Sequence, residues 1–163
     1  MINDYTHRPA TPDDLEQIWA KNIADNPGDE RWIAWRDNFI QSNLDGKSKT
    51  FVTLYRGTPI GEGTLLLLSE CIQGRTDLAD GSIVVNLNAL RMDKRHEGKG
   101  HMSRLVKLIE QHAADLGYKK ITIGVAPRDT RPLAIYLYWG YDTLVRTDYE
   151  EDGELVLYYA KNL

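Results

Sequence analysis

A single cysteine in 163 residues, Cys71, excludes an internal disulfide and a cysteine-based metal site and leaves redox chemistry without its usual groups. It reads as a small residue in a loop or strand, and no metal is expected. Long apolar runs are missing as well. The longest aliphatic run, LLLL at 65–68, is far too short to cross a bilayer, and the opening MINDYTHRPA has neither the basic nor the apolar part of a signal peptide. A cytoplasmic protein with no membrane partner is expected. Positive charge is also in short supply: 20 Lys and Arg against 24 Asp and Glu give a net charge of −4, which argues against a partner bound through a nucleic-acid backbone. No repeat, low-complexity tract or Pro/Gly/Ser-rich linker divides the chain, so residues 1–163 read as one domain.

What is present is a clear alternation of periods. Residues 5–10 suit a strand, and Thr11-Pro12-Asp13-Asp14 then supplies an N-cap, a first-turn proline and two acidic residues for the positive end of a helix. Leu15, Ile18, Trp19 and Ile23 follow at helical spacing, and Trp32, Trp35, Phe39 and Asn43 form a second stripe ending near Asp45-Gly46. From residue 49 the period shortens: TFVTLY and PIGEGTLLLL read as a hairpin, 70–81 as a loop and 82–92 as a strand. Met102, Leu105, Val106, Ile109, Ala113 and Leu116 mark one helical face closed by Gly117. KKITIGV is a buried strand, 129–139 a short helix, and two last strands flank the turn EEDGE. The order β α α β β β α β α β β implies an α/β fold with a mixed central sheet and helices on both faces.

Between the strand at 82–92 and the following helix lies RHEGKG, residues 95–100. A strand turning through Gly-x-Gly into a helix leaves backbone N–H groups pointing outward at the positive helix end, and Gly98 and Gly100 let an anion approach the main chain. Arg95, Lys99 and Arg104 add positive charge. The other phosphate motifs fail by counting. A dinucleotide fingerprint lacks its ribose-binding carboxylate, because no acidic residue lies between Asp115 and Asp129, and Gly46-Lys47-Ser48 has Gln41 where a P-loop requires glycine.

The hexapeptide Arg95-His96-Glu97-Gly98-Lys99-Gly100 resembles the [QR]-x-x-G-x-[GA] signature of the GNAT N-acetyltransferase superfamily, in the place that family requires. About forty residues on, Ala134-Ile135-Tyr136-Leu137-Tyr138-Trp139-Gly140-Tyr141 resembles the family's A-x-x-Y-x-x-x-G-F segment. The resemblance implies acetyl-coenzyme A bound where the fourth and fifth strands part. Its pyrophosphate would meet Arg95, His96, Glu97, Gly98, Lys99, Gly100, His101 and Met102, and its pantetheine arm the main chain of Leu90, Arg91 and Met92. It also aligns Tyr136 with the tyrosine near the coenzyme sulfur, a candidate general acid. Two positions depart from the pattern: Arg131 stands where an asparagine often contacts the pantetheine, and Met92 where proline is common.

An alkyl amine has a pKa near 10, so roughly three pH units, about 4 kcal/mol, separate it from its nucleophilic form at neutral pH. Many relatives place a carboxylate on the fourth strand for this proton, but 82–92 offers only Asn86 and Asn88. Glu62 on the preceding strand, Asp80, and a water held by Asn88 are the alternatives. For the acceptor, the resemblance points to the loops at 25–30 and 148–154, both acidic, with Asp29, Glu30, Trp32, Glu150 and Glu151 as candidate binding residues for a small cationic amine. An N-acetyltransferase for protein or peptide amines and a non-catalytic acyl-coenzyme A binding module remain open, as does a homodimer through the last strands.

Overall fold

The computed structural model describes residues 3–163. Its elements are β1 (Tyr5–Pro9), α1 (Pro12–Asp25), α2 (Arg31–Leu44), β2 (Ser48–Tyr55), β3 (Thr58–Leu66), β4 (Val84–Met92), α3 (His101–Asp115), β5 (Lys120–Val125), α4 (Thr130–Tyr138), β6 (Thr143–Tyr149) and β7 (Leu155–Asn162). This is the expected order. Short 3-10 turns at Ser69–Ile72 and Lys94–His96 are additions to it. The strands follow the order β1-β2-β3-β4-β5-β7-β6. With β4 parallel to β5 and β5 antiparallel to β7, the sheet is mixed. Among the described residues no helix is long and apolar enough to cross a membrane.

The chain packs as two compact units, one running to Leu65 with Ala89–Ile109, the other formed by Leu66–Asn88 with Glu110–Leu163. In the first unit β1 pairs antiparallel with β2, from Tyr5 opposite Tyr55 to Pro9 opposite Phe51. The helix α1 begins where the sequence says it should. Thr11 Oγ1 accepts from the Asp14 amide at 3.2 Å and Asp14 Oδ2 accepts from the Thr11 amide at 2.7 Å, a reciprocal capping box. Its inner face supplies Leu15, Ile18 and Trp19, and the Trp19 ring packs against Phe39 of α2 at 5.2 Å. Asn43, expected only as part of a helical stripe, is a polar hook. Its side chain donates to Thr50 Oγ1 at 3.0 Å and accepts from the Thr50 amide at 2.9 Å, which fixes α2 on β2.

In the second unit β4 pairs with β5 from Val84 opposite Lys120 to Leu87 opposite Ile123, and β5 pairs with β7 along six positions. Leu66, Ile72, Leu78, Ala79 and Tyr158 form one buried cluster. Asn86 and Thr122, both fully buried in this interior, are satisfied, as burial demands. Asn86 Nδ2 donates to Thr122 Oγ1 at 2.9 Å, and that hydroxyl donates to the Leu78 carbonyl at 2.9 Å. Cys71 lies half-buried in the turn after β3.

Candidate active site

In the first unit the chain leaves β4 through a turn that Asp93 organises. Its amide donates to the Ile60 carbonyl at 2.7 Å, while its carboxylate accepts the Arg95 amide at 3.0 Å and two guanidinium contacts at 3.2 and 2.9 Å. Those hydrogen bonds from Arg95 hold the Asp93 carboxyl far below the usual carboxylate range. Arg95, expected to add positive charge to the anion site, already has a carboxylate partner. Gly98 and Gly100 follow at φ +75° and +82°, the left-handed region that favours glycine. A methyl group built at either position would meet no other atom within 4 Å, so open space lies in front of both.

α3 then starts at His101. Its first turn has no intrahelical acceptors for its amides, and the Arg104 amide to the Gly100 carbonyl, at 3.1 Å, closes the first turn. His101 itself does not face solvent: it is buried, its ring stacked on Tyr5 at 3.8 Å, and burial lowers its pKa, aided by neighbouring positive charge. His96 is tied to the same tyrosine, its Nδ1 lying 2.9 Å from the Tyr5 hydroxyl. His96 and His101 thus pack against Tyr5, while the main chain at Gly98 and Gly100 and the exposed side chains of Lys99 and Arg104 remain for an anion. Open space, positive-φ glycines and a helix N-terminus fit the pyrophosphate of acetyl-coenzyme A.

The same unit contains a cleft of about 590 Å³. Among its lining residues are Glu62, Trp32, Leu90, Arg91, Met92, Glu97 and Met102, all expected in the site, together with Lys21, Asn22, Asp25 and Asn26 of α1. Glu62 is 4% exposed. Its carboxylate accepts from the Arg91 guanidinium and, at 3.5 Å, from Asn22 Nδ2. Burial pushes this carboxyl above the usual range, and the charge and hydrogen bond of Arg91 pull the other way without overcoming it. The Arg91 guanidinium lies 5.0 Å from the Trp32 ring and 5.7 Å from the Trp19 ring. Gly61 leaves room beside it: a Cβ there would come within 2.5 Å of Met92 Cε and 3.2 Å of the Arg91 carbonyl, so the Met92 side chain would have to move.

Sequence reasoning missed Asn22 and the Arg91 side chain. The only signal for the pair was Glu62 itself, a charge set between two glycines in an otherwise apolar strand. Asp29 and Glu30 are not among the described residues lining this cleft. Asp29 forms two contacts with the Arg31 guanidinium, at 2.9 and 2.8 Å, and Glu30 is exposed at the start of α2.

The remaining expected residues belong to the second unit. Tyr136 is half-buried on α4, 5.9 Å from the Trp139 ring, and burial raises its phenol pKa, with Asp129 adding to the shift. Its neighbour Tyr138 is 89% exposed. Asn88 donates to Asn86 Oδ1 at 3.4 Å, and Arg131 is exposed in the first turn of α4. In the acidic turn, Asp148 and Glu150 contact the buried Arg75 at 3.4 and 3.3 Å, and Glu150 also accepts from the Tyr158 hydroxyl. Glu151 is exposed.

Residues 10–141 match the acetyltransferase (GNAT) family. No curated protein matches the chain significantly in sequence. Among solved structures, a chimera of the Vibrio cholerae spermidine N-acetyltransferase superposes with a TM-score of 0.70 at 17% identity, covering 98% of this chain and 96% of that one. A ribosomal alpha-N-protein acetyltransferase gives 0.69 at 17% identity, with 99% and 91% covered. A GNAT family acetyltransferase from Elizabethkingia anophelis, with acetyl-CoA bound, gives 0.64 at 16% identity, with 99% of each chain covered. At these identities the likeness is one of fold, whereas the family match extends over most of the chain. The protein belongs to the GNAT family of acetyltransferases, enzymes whose acetyl donor is acetyl-coenzyme A.

Proposed function

We propose that the protein acetylates a small primary amine that arrives as a cation, with Glu62 as the general base. The observation that carries this reading is the buried Glu62 carboxyl lining a cleft that also contains Leu90, Arg91 and Met92. A raised carboxyl pKa suits a group that must take a proton near neutral pH. A cleft of about 590 Å³ falls in the range of small-molecule sites, which supports a small acceptor over a protein terminus. Trp32 adds an aromatic wall of the kind that attracts ammonium groups.

In this scheme the backbone at 95–102 binds the donor's pyrophosphate and the main chain of Leu90, Arg91 and Met92 aligns its pantetheine arm. The amine proton passes to Glu62. The nitrogen then attacks the thioester carbonyl, giving a tetrahedral intermediate, and the C–S bond breaks as the proton released by the nitrogen passes through solvent to the leaving sulfur. Titration calorimetry with acetyl-coenzyme A followed by a thiol-release screen of amines tests the proposal. Glu62→Gln should keep acetyl-coenzyme A affinity and lower kcat by about 10²- to 10⁴-fold. Full turnover by that variant overturns the base assignment. Coenzyme binding without thiol release over a broad amine panel points to an acyl-coenzyme A binding module, and release with peptides alone to a protein acceptor.

A further inference from the structure

Arg91 stands out because its main chain and its side chain have different tasks. The main chain belongs to the end of β4, while the guanidinium turns into the cleft, contacts the Glu62 carboxylate and lies near two indole rings. Its side chain is 35% exposed and that of Glu62 only 5%, so the cation reaches solvent and the anion does not. A buried carboxylate with no cation beside it takes up a proton rather than remain charged. A carboxylate that is already protonated cannot serve as a base.

We propose that Arg91 is the positioning residue of the acceptor site: steadied by Trp19 and Trp32, its guanidinium holds the Glu62 carboxylate as an anion at the wall of the cleft. This rests on the reading of Glu62 as the base. Geometry makes Arg91 the group for the task. Asn22 is neutral and stands 3.5 Å away, and Lys21, paired with Asp25 at 3.0 Å, adds a smaller pull on the Glu62 carboxyl than Arg91 does. Of the other charged groups lining the cleft, Asp93 is engaged by Arg95, and Lys94 and Glu97 are exposed. Arginine suits the position better than lysine because its planar group stacks on indoles and donates through several N–H groups at once.

The direct test is a carboxyl carbon NMR titration of Glu62, assigned by loss of its signal in Glu62→Gln, in the wild type, Arg91→Met and Arg91→Lys. The midpoint should rise by about 1 to 3 pH units in Arg91→Met and by less in Arg91→Lys, which restores charge without the stacking. A midpoint in Arg91→Met equal to that of the wild type overturns the proposal. If Arg91→Met loses its near-UV circular dichroism, Arg91→Gln replaces it with the same expected direction. The titration needs no acceptor, so it decides the role of Arg91 even if no amine is acetylated. With an active amine in hand, the acidic limb of the pH profile of kcat/KM should move upward with the midpoint. If Glu62→Gln abolishes turnover while the limb in Arg91→Met stays in place, the Arg91 proposal fails alone. If Glu62→Gln remains fully active, the base assignment fails and the titration still decides Arg91.

Discussion

Asp14 accepts from the Thr11 amide and from the Arg8 guanidinium at 2.7 and 2.5 Å, although it is only 4% exposed. Burial by itself would raise its pKa. The hydrogen bonds from Arg8 and Thr11 outweigh that effect, and the folded-state pKa is lowered. A carboxyl with a depressed folded pKa contributes stability that is complete above its unfolded value near 4 and is lost as pH falls through the folded one. Asp14→Asn should therefore cost about 1–2 kcal/mol at pH 7, and its deficit should shrink by pH 3. Urea melts of the two proteins at both pH values check this. A deficit independent of pH means that the loss lies in shape rather than charge. This cap was legible because a capping sequence has a fixed spacing. The clasp of Glu62 and Arg91 was not, since strand alternation gives the face of a side chain and not its partner across 29 positions.

Elements with a strong period were the easiest to read: every helix and strand in the expected order is present, because apolar spacing and caps reinforce each other. The 3-10 turns at Ser69–Ile72 and Lys94–His96 escaped notice, since three or four residues carry no period. The conformation of Ala89 escaped it too. This alanine, inside β4, has φ +53°, a left-handed conformation that costs a non-glycine residue roughly 1–2 kcal/mol. Nothing in its identity announces that. The pairing of β4 with β5 runs through Leu87 and the proposed pantetheine contacts begin at Leu90, so Ala89 sits at the change of role within one strand. Strain at such a point is commonly retained where a backbone must be redirected toward a ligand. Ala89→Gly, which accepts the same φ, should keep acetyl-coenzyme A affinity within about threefold. Ala89→Val strongly resists positive φ and should weaken affinity roughly tenfold or more, a loss of about 1.4 kcal/mol in binding. Calorimetry on the two folded variants separates the outcomes, and equal affinities would mean that the left-handed residue has no part in holding the coenzyme.

Across the whole molecule, a sequence allows charges to be counted but not paired. The turn at 148–154 looked like a negative surface waiting for a cationic acceptor, yet Asp148 also meets Arg146 at 3.0 Å, and Glu154 meets Arg128 at 3.0 Å. The basic stretch at 91–107 is likewise reduced, since Arg91 and Arg95 have carboxylate partners and Lys99 and Arg104 stay exposed. Two electrostatic effects then compete for a polyanionic donor. The net charge of −4 repels it at long range, and the exposed cations beside Gly98 and Gly100 attract it at short range. Contact attraction acts within a few ångströms and dominates if the pyrophosphate lies on this loop. Raising NaCl from 50 to 500 mM should then weaken acetyl-coenzyme A binding by roughly 3- to 10-fold, because the screening length contracts to the scale of the contacts themselves. Lys99→Ala with Arg104→Ala should flatten that dependence. Binding that tightens with salt would instead mean that the overall negative field controls association and that the phosphates sit away from these cations.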